Sequence, residues 1–143
     1  MSYKATPFIR LDGQAREAIR FYEEALGARA VLVKTYGEAP DADAQALSPE
    51  ARERITHSVL VFGGAELYVA DGLPGESASA GTRVEICITA PDVAASARIF
   101  DALKEGGEVV MPLEPIYFSP AYGIVRDRYG VTFQIITERP AAK

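Results

Sequence analysis

The chain has 143 residues and a net charge of −5, with 48% apolar and 24% charged residues. That balance describes one soluble globular domain large enough for a sizeable core. The acidic excess, with no basic cluster interleaved with aromatics, argues against nucleic acid as a partner, and no apolar run nears the roughly 20 residues of a membrane span.

The opening MSYKATPF carries no signal-peptide core, so a cytoplasmic location is expected. Ala5–Leu11 then reads as a first strand, with Thr6, Phe8 and Arg10 on one face and Ile9 and Leu11 on the other. Pro7 removes a backbone donor, which suits an edge or a strand start. Asp12-Gly13 turns the chain into a helix over Gln14–Leu26, whose apolar stripe is Ala15, Ala18, Ile19, Tyr22, Ala25 and Leu26. Gly27 stops it. Arg16, Glu17, Arg20, Glu23 and Glu24 form a solvated face.

Arg29–Tyr36 is a second strand. Gly37–Arg54 is acidic and alanine-rich with no strand period. It reads as a mobile excursion with one short helix, started by Ser48 as cap and Pro49 at the first helical position. Its aspartates lack the glycine and distal glutamate of a calcium loop. Ile55–Phe62 and Ala65–Ala70 are the third and fourth strands. Gly72–Thr82 is small, polar and glycine-rich, and reads as a linker.

A second half begins with a strand over Arg83–Thr89. Cys87, the only cysteine, excludes an intrachain disulfide and a cysteine-clustered zinc site, and reads as a small core residue. Pro91-Asp92 leads into a helix over Val93–Lys104 with Val93, Ala97, Phe100 and Leu103 on one face, stopped at Gly106-Gly107. Glu108–Met111 is a short strand. Pro112–Pro120, with three prolines and two aromatics, reads as a loop over the surface or a pocket mouth. The runs Tyr122–Val125 and Val131–Ile136 flank the turn Asp127-Arg128-Tyr129-Gly130 and predict a hairpin. Glu138–Lys143 is expected to fray.

The earlier stretch His57–Asp71 has the same form. Laying Gly64 over Gly130 puts Leu67 over Phe133, Tyr68 over Gln134 and Val69 over Ile135. The order strand, helix, three strands therefore occurs twice, and such a repeat decides the architecture. The expected divisions are a first module over 1–71, a linker over 72–82 and a second module over 83–138, all within one domain.

With these residues placed, the chain resembles the vicinal-oxygen-chelate superfamily, which includes glyoxalase I, extradiol dioxygenases and bleomycin-resistance proteins, and within it the PhnB-like branch. The resemblance rests on Asp12-Gly13, the run Glu17–Glu24, Ile55-Thr56-His57, Gly64, Ala70-Asp71, the run Ile99–Gly107, Val110–Leu113, Tyr122-Gly123 and Asp127–Val131. It implies an α+β fold of two βαβββ modules forming a curved, partly open mixed sheet around a cavity, and a homodimer. Metal-dependent members hold a divalent ion on one ligand from the first strand and one from the last strand of each module. Carried onto this sequence, those positions are Thr6, Tyr68, Glu85 and Gln134. Only Glu85 is a strong ligand for such a cation, so no metal or other cofactor is expected.

His57 is the only histidine. It alternates with Val59 and Val61, which predicts a core-like face and a structural role; the resemblance keeps a functional role open, since the PhnB-like branch often has a histidine here. No serine or cysteine can be tied to it, so nucleophilic catalysis has no support and no catalytic residue is named. Arg10 reads either as a bidentate anchor for a carboxylate or phosphonate or as an ion-pair partner for Glu85 or another acid. Tyr117, Phe118 and Tyr122 suit the wall of a ligand pocket, and equally packing or a dimer seam. The candidate ligand-binding set is thus Thr6, Phe8, Arg10, His57, Tyr68, Glu85, Tyr117, Phe118, Tyr122 and Gln134. The expected function is small-molecule binding without the usual metal site; the alternative is a metal-dependent lyase, isomerase or oxygenase with a shifted ligand set.

Overall fold

The computed structural model describes residues 4–40, 42–76 and 84–139. These fall into two compact units, one built from residues up to 76 and the other from residue 84 on.

The first unit runs β1 (Phe8–Leu11), α1 (Ala15–Leu26), β2 (Arg29–Thr35), a 3-10 turn (Tyr36–Glu38), α2 (Ala42–Gln45), α3 (Pro49–Glu53), β3 (Ile55–Phe62) and β4 (Ala65–Asp71). Its four strands lie in the order β1-β4-β3-β2, with β1 parallel to β4 and the other pairs antiparallel. The predicted stripe of α1 is buried at Ala15, Ala18, Ile19, Tyr22 and Ala25, against a sheet face carrying Ile9, Leu11, Leu60, Leu67 and Val69. Gly27 ends α1 in the left-handed region at φ 66°. The excursion holds two short helices and a 3-10 turn rather than one helix. Ser48 caps α3 as expected, its hydroxyl accepting from the Ala51 N–H at 3.1 Å.

One buried acid ties the unit together. Asp71, 2% exposed, closes β4 and accepts hydrogen bonds from the N–H groups of Gly13 (2.8 Å) and Ala15 (3.0 Å) at Oδ1 and of Ile55 (3.1 Å) at Oδ2. Gln14, which precedes α1, makes no side-chain cap. A carboxylate from a distant strand therefore caps the helix, where the positive end of its dipole favours negative charge.

The second unit runs β5 (Ile86–Ala90), α4 (Val93–Leu103), β6 (Glu108–Ile116), β7 (Ser119–Arg126) and β8 (Thr132–Thr137), in the order β5-β8-β7-β6. Again the first strand is parallel to the last. Each unit is thus a βαβββ module of identical strand order. The turn between β7 and β8 is the predicted one. Gly130 sits at φ 83°, and Asp127 Oδ1 accepts from the N–H groups of Tyr129 (2.9 Å) and Val131 (3.0 Å).

Three expectations need correction here. Pro112–Pro120 is not a loop: β6 continues to Ile116 and β7 starts at Ser119, leaving Tyr117 and Phe118 as the turn. Prolines fit because β6 is the outermost strand of its sheet and its pairing with β7 is irregular between Met111 and Ile116. The buried face of α4 is Ala95, Ser96, Phe100 and Leu103, with Val93 exposed. A serine is tolerated inside because its hydroxyl bonds that of Thr137 at 2.5 Å. Finally, Glu138, the first residue of the tail expected to fray, is bonded, as is Gly72, the first residue of the expected linker. Gly72 donates to the Leu11 carbonyl at 2.9 Å and Glu138 to that of Ala90 at 2.9 Å. Residues 77–83 of the expected linker and strand start, and 140–143 of the tail, lie outside the described residues.

Candidate functional site

Each sheet has one face covered by its helix and one face turned away from it, and the predicted site residues gather on the latter. In the first unit the register sets Phe8 beside Tyr68 and Val59 beside Tyr68 on the other side. The rings of Phe8 and Tyr68 meet edge to face with centroids 6.3 Å apart. His57 meets Tyr68 at 5.3 Å, so it lies on this open face and not on the core-like one. The helix-facing residues of β3 are Ser58 and Leu60, both fully buried. Ser58 is accommodated because its hydroxyl donates to the Val69 carbonyl at 2.5 Å. The Arg10 guanidinium stands 5.4 Å from the centre of the Phe8 ring, a cation–π distance. Among the described residues Arg10 forms no ion pair. Thr6 precedes β1 and lies two residues short of the position that pairs with Tyr68.

The second unit carries a polar chain. The Tyr122 hydroxyl donates to Gln134 Oε1 at 2.9 Å, and Gln134 Nε2 donates to Glu85 Oε1 at 3.0 Å. Its direction follows from chemistry: an ionised carboxylate only accepts, so the amide nitrogen must face Glu85, its oxygen must face Tyr122, and the phenol must donate. Burial first, then the nearby Glu85 and Cys87, raise the Tyr122 phenol above its ordinary pKa. Phe118 packs edge to face on Tyr122, centroids 5.0 Å apart, and Tyr117 on Phe118 at 5.0 Å. The Tyr117 carbonyl accepts from the Arg139 guanidinium. Tyr117 is 87% exposed, so this aromatic group stands at the tip of the β6–β7 hairpin.

Cys87 was expected in the core and is exposed. It is the residue that pairs with Gln134 in the β5–β8 register, whereas Glu85 precedes β5 and reaches Gln134 from outside the strand. The alternation along Glu85, Cys87 and Thr89 against Ile86 and Ile88 carries the signal for this placement. Partial burial raises the Cys87 thiol pKa, with a hydrogen bond to Thr89 acting in the opposite sense.

A protein-family model described as the Glyoxalase/Bleomycin resistance protein/Dioxygenase superfamily matches residues 7–135. The chain belongs to that superfamily. Among glyoxalase-superfamily relatives, protein YjdN of Escherichia coli (strain K12) is 24% identical over 136 residues, covering 91% of this chain and 92% of YjdN. The crystal structure of protein PA1353 from Pseudomonas aeruginosa matches with a TM-score of 0.85 and 28% identity, over 97% of this chain and all of that one. A Bacillus cereus PhnB protein, described as a putative 3-demethylubiquinone-9 3-methyltransferase, matches at TM-score 0.77 and 23% identity, over 95% of this chain and all of that one; at that identity the likeness concerns the fold.

The divalent ion used by metal-dependent glyoxalase-superfamily members does not fit the residues present. Thr6, Tyr68 and Gln134 offer only neutral donors, and the Gln134 carbonyl oxygen already accepts from Tyr122. The register-matched neighbours of Tyr68 and Gln134 are Phe8 and Cys87. Among the described residues no three His, Cys, Asp or Glu side chains converge as a metal site. One carboxylate with neutral oxygens is a weak set for a hard or borderline cation.

Proposed function

We propose that this superfamily member binds a small organic molecule and does so without a divalent ion. The observation that carries the reading is the chain Tyr122–Gln134–Glu85 beside the Phe118 and Tyr117 rings. A few positioned polar groups next to aromatic surface is the ordinary composition of a ligand site. In the first unit the open face offers the Phe8, Tyr68 and His57 rings with the Arg10 guanidinium, which suits planar or anionic ligand groups. Sequestration alone would be a sufficient activity.

The test is a thermal-shift screen of chemically varied small molecules, with metal analysis of protein purified without chelator. The expected result is at least one compound that raises the melting temperature in wild type and not in Gln134→Ala, and substoichiometric metal. A stoichiometric ion lost on His57→Ala or Glu85→Gln would replace this reading with the metal-dependent enzyme. The same reading includes a cytoplasmic homodimer. The outermost strands expose Val31 and Val33 on β2 and Val109 and Val110 on β6, apolar surface that self-association would cover. Light scattering that gives a monomer mass at micromolar concentration would refute the dimer.

A further inference from the structure

Resting on the small-molecule reading above, we propose that the second unit recognises a cationic amine, its ammonium group against Glu85 and its carbon body against Phe118 and Tyr122. The argument is an inventory of what the polar chain leaves unused. Tyr122 has spent its only proton on Gln134, and Gln134 has spent one N–H on Glu85. What remains is one amide N–H against the second oxygen of Glu85 and the lone pairs of the Tyr122 oxygen. Acceptors outnumber donors, and the unit of charge they carry is negative. The group that satisfies them is a donor, and a charged one.

The surroundings select the same chemistry. Glu85 is half-buried and has no cationic partner among the described residues. A carboxylate partly withdrawn from water gains most from a counter-ion that also donates hydrogen bonds. The Tyr122 ring, joined to Glu85 through Gln134 and packed against Phe118, favours a cation through its electron-rich face, and the two rings favour an apolar body through their area. A carboxylate ligand would instead meet the like charge of Glu85. The protein's net charge of −5 adds attraction for cations at a distance. Phenolic and carboxylate oxygens held in a fixed chain are also preorganised, so little side-chain freedom is lost on binding.

The experiment is calorimetric titration at neutral pH with primary, secondary and quaternary arylalkylamines, each beside the alcohol and the carboxylate of the same carbon skeleton. At least one amine should bind at least about tenfold more tightly than its alcohol, and its carboxylate should show no binding that depends on Gln134. Glu85→Gln should lower amine affinity by about tenfold or more while leaving circular dichroism unchanged, and Glu85→Asp should restore part of it. Carboxylates binding more tightly than amines in a Gln134-dependent manner, no amine binding at all, or amine affinity indifferent to Glu85→Gln would overturn the proposal. If neutral or anionic compounds bind in a manner that depends on Gln134, the amine assignment fails and the small-molecule reading stands. If no class of compound binds, both fail.

Discussion

Asp71 is the place where a single atom change should be most informative about how the first unit is built. Its carboxylate serves three backbone N–H groups, from Gly13, Ala15 and Ile55, and it is 2% exposed. In Asp71→Asn the amide oxygen can replace Oδ1 and keep Gly13 and Ala15, but the amide nitrogen then faces the Ile55 N–H, donor against donor. Flipping the amide restores Ile55 and orphans the other two. The first arrangement is the better one and forfeits a charge-assisted bond while leaving a buried donor unmet, a loss of about 1.5–3 kcal/mol. Asp71→Ala orphans all three donors; with some water entering the space left behind, about 3–5 kcal/mol is expected. The comparator lies in the other unit, where Asp92 caps α4 through one bond to the Ala95 N–H at 2.8 Å. Asp92→Ala should cost only about 1 kcal/mol. Urea titrations followed by circular dichroism measure all three, and thermal midpoints should fall by roughly 3–5 °C per kcal/mol. If Asp71→Asn is no more destabilising than Asp92→Ala, the carboxylate is not the latch between β4, α1 and β3.

Gly123 should resist substitution, because a Cβ there would lie 2.8 Å from the Phe100 ring and 3.0 Å from the Leu113 backbone; Gly123→Ala is expected to destabilise by about 1–3 kcal/mol in the same denaturation assay. The raised Tyr122 pKa means the fold favours the neutral phenol, so this contribution to stability is complete below the free phenol value of about 10 and is lost as pH rises through the folded value. Ultraviolet titration should show a late-ionising tyrosine that moves part of the way back in Glu85→Gln, since burial is the larger cause. Cys87 is exposed yet has a raised thiol pKa; alkylation by iodoacetamide should go to completion, with a rate profile centred above that of a free thiol at about 8.5. Gln134→Tyr places in the second unit the residue found at the matching position of the first. It should fold, with a denaturation midpoint within about 1.5 kcal/mol of wild type, and should lose ligand-induced stabilisation.

Both βαβββ modules are legible in the sequence because their signals are local: strand alternation, the stop at Gly27, the Ser48-Pro49 start, and the Asp127–Gly130 turn. Those signals survive into the structure because backbone conformation and helix ends depend on near neighbours. The features that local sequence does not carry depend on partners distant in the chain. Pro112 and Pro115 read as strand breakers until β6 is known to be an outermost strand. Alternation with the apolar Val59 and Val61 predicts a buried face for His57, while the residue that faces inward is Ser58, made compatible with burial by bonds to Val69. Register was the hardest quantity. The superfamily resemblance puts Thr6 and Glu85 in one ligand set with Tyr68 and Gln134; pairing sets Phe8 and Cys87 beside those two, and a register is a property of two strands at once. Glu85 still reaches Gln134, because a glutamate side chain is long enough to do so from outside the strand.

The duplication lets each unit serve as the other's control. By register, Tyr68 and Gln134 occupy one backbone position, Phe8 and Cys87 another, with Val59 and Ile124 as the antiparallel neighbours. The scaffolds agree in strand order and in the parallel closing pair, so differences in chemistry at these positions cannot be assigned to the backbone. In the first unit the open face is joined by ring contacts, with one guanidinium over Phe8. In the second it is joined by directed hydrogen bonds ending on a carboxylate. Neither pattern is dictated by the strand order, since the other module has the same order without it. Side chains that differ between modules of one strand order, turned away from the helix and connected to one another, are the ones through which function can vary while the scaffold is kept. That makes the Tyr122–Gln134–Glu85 chain the first place to test the proposed small-molecule binding.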